Sequence, residues 1–442
     1  MTGPRSNGFT LLAVGDLHLG RRPSGLPPQL QGRADALGPE AAWDRLVREA
    51  RSRAVDAVVL AGDVVESEDD LFEGYRALER GVESLSEAGI AVVGVAGNHD
   101  VRVLPRLADR IEGFRLLGRS GRWEQLALGS EQEQLTLHGW SFTQPVVETS
   151  PLEGVRLERG PGLNLGLLHC DLDASRSPYA PVRRSSLETA GLDGWLLGHI
   201  HRPDALDASA PLGYLGSVTG LHPGEVGDRG PWALSIEHGR IRRIEQWLLA
   251  PLHWHSLALD LTGLADAAEA EDLLLDSIRD LDAGLGQRAL PPEACGLRIR
   301  LVGRSALGGT LRERLLREPE RDFSTGARIA MFIERVELAT TPLRPLQTLA
   351  RDRSPVGLLA ARLLLLERAD EDPERRALIE HARRRLEAVS RQSRWQGLNA
   401  APPDNEQIVA MLRESAGRML ETLLAQTSSA QNSTPADTDA DR

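Results

Sequence analysis

Residues 9–20 read FTLLAVGDLHLG and place Asp16 and His18 directly behind an apolar run that is typical of a buried strand. One residue separates the two polar side chains, so an extended backbone would point both to the same side. Aspartate and histidine are ligands that suit manganese, iron or zinc. Because open α/β sheets place their sites at strand ends, this stretch predicts an α/β fold with a metal site where the strand ends.

The same arrangement returns along the chain, in AGDVVE at 61–66, in AGNHD at 96–100, and in LLHC at 167–170 together with LGHIHRP at 197–203. Each polar residue again follows an apolar run. The side chains predicted to form one dinuclear centre are Asp16, His18, Asp63, Asn98, His169, His199 and His201. Two ions about 4 Å apart can share a bridging carboxylate and hold the attacking and leaving oxygens of a phosphoryl group in line. Asp63 is the predicted bridge.

Composition narrows the class of protein. The 442 residues carry a net charge of −12, which argues against a general basic surface that coats nucleic acid. No apolar run approaches the roughly 20 residues that span a bilayer, and the start MTGPRSNGFT contains no hydrophobic signal segment. We therefore expect a soluble cytoplasmic protein without a membrane partner. Cys170 and Cys295 lie far apart in the sequence and do not indicate a disulfide framework.

Hydrophobic periodicity predicts four segments. In residues 1–250, short β-rich runs alternate with helical patterns, which indicates a layered α/β catalytic domain. Residues 251–345 predict a small α/β capping domain, and residues 346–425 predict a helical segment. The remaining residues, 426–442, have no apolar anchor and are expected to form a disordered tail.

The ordered elements Asp-x-His, Gly-Asp, Gly-Asn-His-Asp, His and Gly-His-x-His resemble the calcineurin-like metallophosphoesterases. This resemblance implies a sandwich of two mixed sheets flanked by helices. Two further segments, YLGSVTGLHPGEVGDRGPWALSIEHG at 214–239 and PLHWHSLALDLTG at 251–263, are similar to those of SbcD-type DNA repair exonuclease subunits. The similarity to that branch covers about residues 9–425 and includes the cap and the helical segment.

The resemblance also implies roles for the motif residues. Asp16, His18 and His201 would hold one divalent ion, Asn98, His169 and His199 would hold the second, and Asp63 would bridge them. Both ions are expected to be manganese, with iron or zinc as alternatives. His99 would stabilise the phosphorus centre or protonate the leaving oxygen. Asp100 would orient His99, or else cap the local loop.

Implied partners are DNA and an SMC-like ABC ATPase of the SbcC type, which would dock on the helices within residues 355–424; a homodimer is a further implication. Arg21, Arg22, Arg102 and Arg202 could meet DNA phosphates, with ordinary surface pairing as the alternative. Two other functions stay open. One is a phosphoesterase for a small molecule or phosphoprotein, and the other is a weakly active scaffold that docks the ATPase.

One position departs from the nuclease pattern. Nuclease relatives often carry a histidine three residues after the bridging aspartate, whereas this chain has Glu66, followed by the acidic run at 67–70. A negative charge there could repel phosphate or bind a metal. His253 and His255 imitate a pair of ligands but have no third partner nearby in sequence, so we expect them to pack or face water.

Overall fold

A computed structural model describes residues 8–66, 71–130, 133–174, 176–317, 323, 329–341, 346–390 and 403–432. In chain order its strands are β1 (Phe9–Val14), β2 (Ala57–Ala61), β3 (Ala91–Val95), β4 (Phe114–Leu116), β5 (Glu124–Gly129), β6 (Gln134–Trp140), β7 (Leu163–His169), β8 (Gly194–Gly198), β9 (Leu212–Tyr214), β10 (Trp232–Glu237), β11 (Arg240–Gln246), β12 (Leu252–Asp260), β13 (Ala294–Val302) and β14 (Ala330–Leu338). The helices are α1 (Pro28–Gln31), α2 (Ala34–Leu37), α3 (Pro39–Ser52), α4 (Leu71–Glu87), α5 (Leu104–Ala108), α6 (Arg184–Thr189), α7 (Ala267–Gly286), α8 (Gly308–Arg317), α9 (Leu346–Leu349), α10 (Pro355–Leu365), α11 (Pro373–Ser390) and α12 (Asn405–Asn432).

Strands β1 to β11 form two mixed sheets. The six-stranded sheet has the order β11-β10-β1-β2-β3-β4, and the five-stranded sheet has the order β5-β6-β7-β8-β9. In the first sheet β1, β2, β3 and β4 run parallel, whereas β10 pairs antiparallel with both β1 and β11. In the second sheet β5 is antiparallel to β6 and the other neighbours are parallel. Both sheets are therefore mixed, as predicted.

The two sheets face each other through alternate residues. Leu11 and Ala13 of β1 lie in one buried apolar cluster with Leu137 of β6 and Leu165 of β7. Their neighbours in sequence point the other way, because side chains alternate across a strand. Each fully buried leucine contributes roughly 1.5–3 kcal/mol relative to an exposed one. This shared apolar cluster holds the two sheets together as a sandwich.

Helices cover the outer face of the first sheet. Leu12 of β1 and Val58 of β2 are buried in a second apolar cluster with Trp43 of α3 and Leu78 of α4. The indole N–H of Trp43 donates to the carbonyl oxygen of Ala77 at 3.0 Å, so this large side chain is buried with its polar atom paired. Helices α3 and α4 are two of the helical segments that were expected to alternate with β-rich runs in residues 1–250.

A third sheet has the order β12-β13-β14. Helix α7 connects β12 to β13, and α8 lies between β13 and β14 in sequence. Among the described residues of 251–345 the element order is therefore strand, helix, strand, helix and strand, an α/β pattern. The indole of Trp254 is fully buried and packs edge-on against Phe332, with the ring centroids 5.6 Å apart.

The remaining described elements are helical. Ser354 caps α10 by accepting a hydrogen bond from the Gly357 backbone N–H at 3.2 Å, and Pro355 occupies the first turn, where its missing N–H does no harm. Ala360 of α10 and Leu420 of α12 are buried in one apolar cluster, and Ile379 of α11 joins α12 in another. Helix α12 continues to Asn432, whereas the disordered tail was expected from residue 426; residues 433–442 lie outside the described part.

By internal contacts the chain divides into two compact units. One comprises Met1–His255, Leu281–Leu297 and Asp322–Glu334, and the other comprises Ser256–Asp280, Arg298–Arg321 and Arg335–Arg442. The segment predicted as a capping domain, 251–345, thus contributes to both units. Among the described residues, no helix has the length and apolar character that crossing a bilayer would need.

Candidate metal centre

The predicted ligands follow the carboxyl ends of five strands. Asp16, Asp63 and Asn98 lie just beyond β1, β2 and β3, which are parallel neighbours in the first sheet. His169 ends β7, and the histidines of the LGHIHRP motif follow β8, its parallel neighbour in the second sheet. Because the two sheets pack face to face, these strand ends meet at one edge of the sandwich. The predicted placement at strand ends is confirmed by the fold.

A first group of donor atoms consists of Asp16, His18 and His201. One candidate ligand atom from each of them lies within 4.8 Å of the others. The Nε2 atoms of His18 and His201 are 3.0 Å apart. Asp16 Oδ1 accepts a hydrogen bond from the backbone N–H of His199 at 2.9 Å, while Asp16 Oδ2 is buried without a hydrogen-bond partner.

A second group surrounds His169. Its Nε2 atom lies 3.1 Å from Asn98 Oδ1 and 3.3 Å from Asp63 Oδ2. The same Asp63 Oδ2 atom is 4.0 Å from His18 Nε2 of the first group. One carboxylate oxygen therefore stands between a histidine of each group, which is the position that a bridging ligand requires.

His199 stands next to the second group. Its ring centroid is 5.2 Å from that of His169 and 4.9 Å from that of Tyr179. Burial, together with the neighbouring His169, lowers the pKa of His199 to about 4. The imidazole is therefore neutral at physiological pH, as a metal ligand must be.

Hydrogen-bond acceptors orient the histidine rings. His169 Nδ1 lies 3.1 Å from the carbonyl oxygen of Ala61, and His201 Nδ1 lies 2.6 Å from Glu225 Oε1. An acceptor at Nδ1 places the proton there and leaves the lone pair on Nε2. In both rings Nε2 is the atom that points into the donor group.

The donor set fits divalent ions. Burial alone would lower the pKa of His169, but the carboxylates of Asp63 and Asp16 raise it to about 9. The nearby histidines in turn depress the pKa of the buried Asp63 carboxyl against the effect of burial. Carboxylate and imidazole groups that share so small a volume stabilise positive charge between them, and the unpartnered Asp16 Oδ2 is a further free donor atom.

The loops after β2 and β3 approach each other closely. The Asp63 backbone has φ +47°, and the preceding Gly62 has φ +88°. A Cβ atom on Gly97 would meet Asp63 Oδ1 and would lie 2.7 Å from the Asp63 backbone nitrogen. Only glycine at position 97 lets the second loop pass so near the predicted bridging carboxylate.

His99 occupies the mouth of the centre. Its backbone N–H donates to Asp63 Oδ1 at 3.0 Å, while its side chain is 41% exposed. The ring packs edge-on against that of His18, with centroids 5.2 Å apart. His99 is thus beside the predicted ligands and open to solvent, a position from which a side chain can reach a substrate.

Asp100 is fully buried and joins two loops. Its carboxylate accepts hydrogen bonds from the backbone N–H groups of Val64 at 2.7 Å and Gly97 at 2.8 Å. Burial and the neighbouring Asp63 carboxylate raise the pKa of Asp100 to about 7. Two roles were considered for Asp100, to orient His99 or to cap the local loop. Within the described residues, these side-chain hydrogen bonds favour the loop cap.

The family comparison agrees with this geometry. Residues 9–203 match the model of the family described as calcineurin-like phosphoesterase. The chain belongs to the calcineurin-like metallophosphoesterase superfamily. Members of this superfamily hold two divalent metal ions and hydrolyse phosphoesters. Residues 254–341 match a second family model, the middle domain of metallophosphoesterase YhaO.

Curated relatives of this metallophosphoesterase match only part of the chain. An uncharacterized metallophosphoesterase, YhaO of Bacillus subtilis (strain 168), is 27% identical over 274 residues, which is 60% of this chain and 63% of that protein. Two proteins named DNA double-strand break repair protein Mre11 also match. The one from Methanopyrus kandleri is 25% identical over 49% of this chain and 50% of its own length. The one from Aeropyrum pernix is 28% identical over 50% and 56%.

The four candidate DNA-contacting arginines differ in their surroundings. Arg21 Nη1 lies 3.6 Å from Glu66 Oε2, whereas Arg22 pairs with Asp35 at 3.0 Å and is 67% exposed. Arg102 and Arg202 are exposed. Arg22 therefore shows the ordinary surface pairing that was the alternative, and Arg21 has a carboxylate neighbour at the mouth of the centre.

Two buried residues that support His201, Glu225 and Arg229, are not among the site residues predicted from the sequence. Glu225 is 5% exposed, contacts His201 Nδ1, and accepts from the Leu221 N–H at 2.8 Å. Arg229, 2% exposed, donates to the carbonyl oxygen of His201 and to Ser217 Oγ. The signal available in sequence was a charged pair inside the glycine-rich segment that follows the last predicted ligands.

His253 and His255 lie apart from the predicted ligands. Their rings stack with centroids 5.9 Å apart, and His253 Nδ1 is 3.9 Å from Asp228 Oδ1. Burial and the nearby Arg288 lower the pKa of His253 to about 4. His253 is buried and His255 is half-buried, and in the described part of the chain neither belongs to a group of three close metal donors.

Proposed function

We propose that this metallophosphoesterase is a two-metal phosphodiesterase that cleaves DNA as the nuclease subunit of a repair complex. One observation carries the two-metal proposal: Asp63 Oδ2 lies 4.0 Å from His18 Nε2 and 3.3 Å from His169 Nε2. Two divalent ions bound there would neutralise the charge of a phosphoryl group and hold its attacking and leaving oxygens in line. Manganese is the proposed metal because carboxylate, amide and imidazole donors suit it.

The predicted metal ligands and His99 would have separate roles. Asp16, His18 and His201 would hold one ion, and Asn98, His169 and His199 would hold the other, with Asp63 between them. His99 would contact the substrate phosphoryl group and donate a hydrogen bond or a proton to it. Its ring is exposed, and its backbone is held by the hydrogen bond to Asp63; both observations support that role. Asp100 would act through the loops whose N–H groups it binds.

DNA is the proposed substrate because of the relatives. Two of the matching proteins are named for DNA double-strand break repair, and each is matched over about half of its length. We further propose that the protein acts in the cytoplasm and as a homodimer. The net charge of −12 implies that DNA would be bound by local groups such as Arg21, Arg102 and Arg202.

Nuclease activity is tested with the purified chain, manganese and linear DNA. We expect release of nucleotides by the wild type, and loss of at least about a hundred-fold in rate for His99→Ala, the size of effect typical of a general acid. His238→Ala is the matched control, since His238 is an exposed histidine far along the sequence. Metal content should be unchanged in both variants. Undiminished cleavage by metal-replete His99→Ala would remove His99 from the mechanism, and hydrolysis of aryl phosphodiesters without any DNA cleavage would favour a small-molecule substrate.

The proposed ATPase partner would bind the C-terminal helices. Leu358 of α10 is 65% exposed, and Met411 and Met419 of α12 are 49% and 59% exposed, although the opposite faces of both helices are buried. Large apolar side chains on the outside of a packed helical segment favour a protein partner. The partner class comes from the SbcD-type resemblance.

Docking is tested by adding a charge to this surface. Leu358→Glu should weaken binding of an SMC-like ABC ATPase from the same organism by at least roughly ten-fold, since it would bury an unpaired carboxylate in an apolar interface. Val155→Glu, at a residue 44% exposed in the other unit, is the control and should bind normally. Hydrolysis of an aryl phosphodiester should be the same in both variants. Equal binding of the ATPase by Leu358→Glu and wild type would contradict the docking proposal.

A further inference from the structure

Glu66 is the acidic residue of the centre that reaches the surface. The Asp16 side chain has no exposure and that of Asp63 is 3% exposed, whereas that of Glu66 is 22% exposed. Glu66 Oε1 lies 3.8 Å from Nδ1 of His99, whose side chain is 41% exposed. The Glu66 carboxylate and the His99 ring therefore share the mouth through which a substrate would enter.

The other contacts hold the Glu66 carboxylate in place. Glu66 Oε2 lies 2.6 Å from His18 Nδ1 and 3.6 Å from Arg21 Nη1, although neither Oε2 nor His18 Nδ1 completes a hydrogen bond of normal geometry. The Glu66 backbone N–H donates to the carbonyl oxygen of Leu19 at 3.0 Å. Because backbone and side chain are both held, the negative charge is fixed beside the predicted catalytic histidine.

A fixed negative charge acts differently on the two classes of phosphoester. A phosphomonoester carries close to two negative charges near pH 8, because its second pKa is about 6, whereas a phosphodiester carries one. Resting on the proposed function, we propose that Glu66 is a specificity-determining residue that makes the centre favour phosphodiesters over phosphomonoesters by repelling the second charge. Nuclease relatives often have histidine at this position. In this chain Glu66 would favour the same class of substrate, phosphodiesters, by repelling phosphomonoesters.

The effect should be measurable. Charges several ångströms apart near a protein surface interact through an effective dielectric constant of about 20, so one extra unit of charge on the substrate changes its relative reactivity by roughly ten-fold. Arg21 neutralises part of the Glu66 charge, and salt screens the remainder. Repulsion should therefore weaken as ionic strength rises.

The test compares two substrates with the same leaving group, bis(4-nitrophenyl) phosphate and 4-nitrophenyl phosphate, on the full chain loaded with manganese at pH 8. Glu66→Gln should shift the ratio of kcat/KM values by roughly ten-fold toward the monoester. Glu66→Asp, which keeps the charge, should retain the wild-type ratio. Glu87→Gln is the control, because Glu87 is an exposed carboxylate at the far end of α4. If Glu66→Gln does not fold, Glu66→Ala provides the same comparison.

The outcomes separate this proposal from the proposed function. An unchanged ratio in folded Glu66→Gln and Glu66→Ala would overturn the specificity role. A parallel fall for both esters with loss of bound manganese would also overturn it, because Glu66 would then act on metal binding, either as a ligand or as the partner of His18 Nδ1. If the metal-loaded wild type hydrolyses neither ester, the proposed function itself fails and this inference fails with it.

Discussion

Glu225 and His201 form a carboxylate–histidine pair behind one predicted metal site. The Glu225 carboxylate is 2.6 Å from His201 Nδ1 and accepts a hydrogen bond from the Leu221 N–H. Burial raises the pKa of Glu225, but these two contacts outweigh it and lower the pKa to about 2. The carboxylate is therefore ionised at every pH at which the protein would act. Such a partner fixes the ring and makes its other nitrogen a better ligand.

Glu225→Gln should weaken metal binding without removing a ligand. The amide keeps the shape of the side chain but lacks the charge that supports His201, so affinity for manganese should fall by about 10–100-fold. Isothermal titration calorimetry of the metal-free protein measures this directly. Glu133→Gln is the matched control, since Glu133 also lies within 4.0 Å of a histidine, the exposed His238, away from the centre. Equal affinities in Glu225→Gln and Glu133→Gln would show that Glu225 does not act on the metal.

His253 should make the folded protein sensitive to acid. Its pKa is about 4 in the fold against an ordinary value of 6.5, so the unfolded chain takes up a proton at a higher pH than the folded chain does. The stability that comes from the neutral ring is complete above pH 6.5 and is lost as pH falls toward 4. Between pH 7.5 and pH 5 this group alone should lower the free energy of unfolding by about 2 kcal/mol.

Urea unfolding at the two pH values checks this expectation. His253→Asn should lose less stability between pH 7.5 and pH 5 than the wild type, because it has no ring to protonate. His238→Asn, at a side chain 79% exposed, should behave like the wild type. The same pH dependence in wild type and His253→Asn would show that His253 is not held neutral.

At the scale of elements, the site depends on how closely two loops pass. The backbone N–H groups of Leu17 and His18 donate to the Asp63 carbonyl oxygen at 3.1 and 2.9 Å, which joins the loop after β1 to the loop after β2. Asp100 joins the loop after β2 to the loop after β3 through the N–H groups of Val64 and Gly97. The ligands are thus placed by loops that bind one another.

Gly97→Ala should disturb this arrangement. The new methyl group would collide with Asp63 Oδ1 and the Asp63 backbone, so the two loops must separate, at a free-energy cost of about 1–3 kcal/mol and with weaker manganese binding. Gly32→Ala is the control, since a Cβ atom there meets nothing within 4 Å and the backbone has φ −67°. Thermal unfolding and metal titration of the two variants measure the difference. Wild-type behaviour of Gly97→Ala would contradict the close approach.

Local sequence could predict the strands and the residues at their ends. An apolar run followed by glycine and a polar residue is a signal confined to a few positions, and the strands before Asp16, Asp63 and His199 are found where the runs predict them. The partners of Glu225 and Asp100 could not be predicted in this way. Glu225 contacts His201, 24 residues away in sequence, and Asp100 accepts from the N–H of Val64, 36 residues away, so these two contacts depend on the path of the folded chain.

At the scale of the whole molecule, the predicted sandwich of two mixed sheets is confirmed, and the shared core explains why. Strand β1 buries Leu11 against one layer and Leu12 against another, and the continuous apolar run in the sequence indicates a strand that is buried on both faces. The boundaries of the two compact units cannot be read from the sequence, because β12 passes from one unit into the other at His255 and Ser256. A continuous strand gives no composition signal at such a boundary.

The central claim is a dinuclear centre, and crystals grown with manganese test it most directly. Anomalous scattering at the manganese edge should show two peaks about 4 Å apart, with Asp63 between them. Asp16, His18 and His201 should surround one peak, and Asn98, His169 and His199 should surround the other. A single peak, or two peaks that do not share Asp63, would contradict the account.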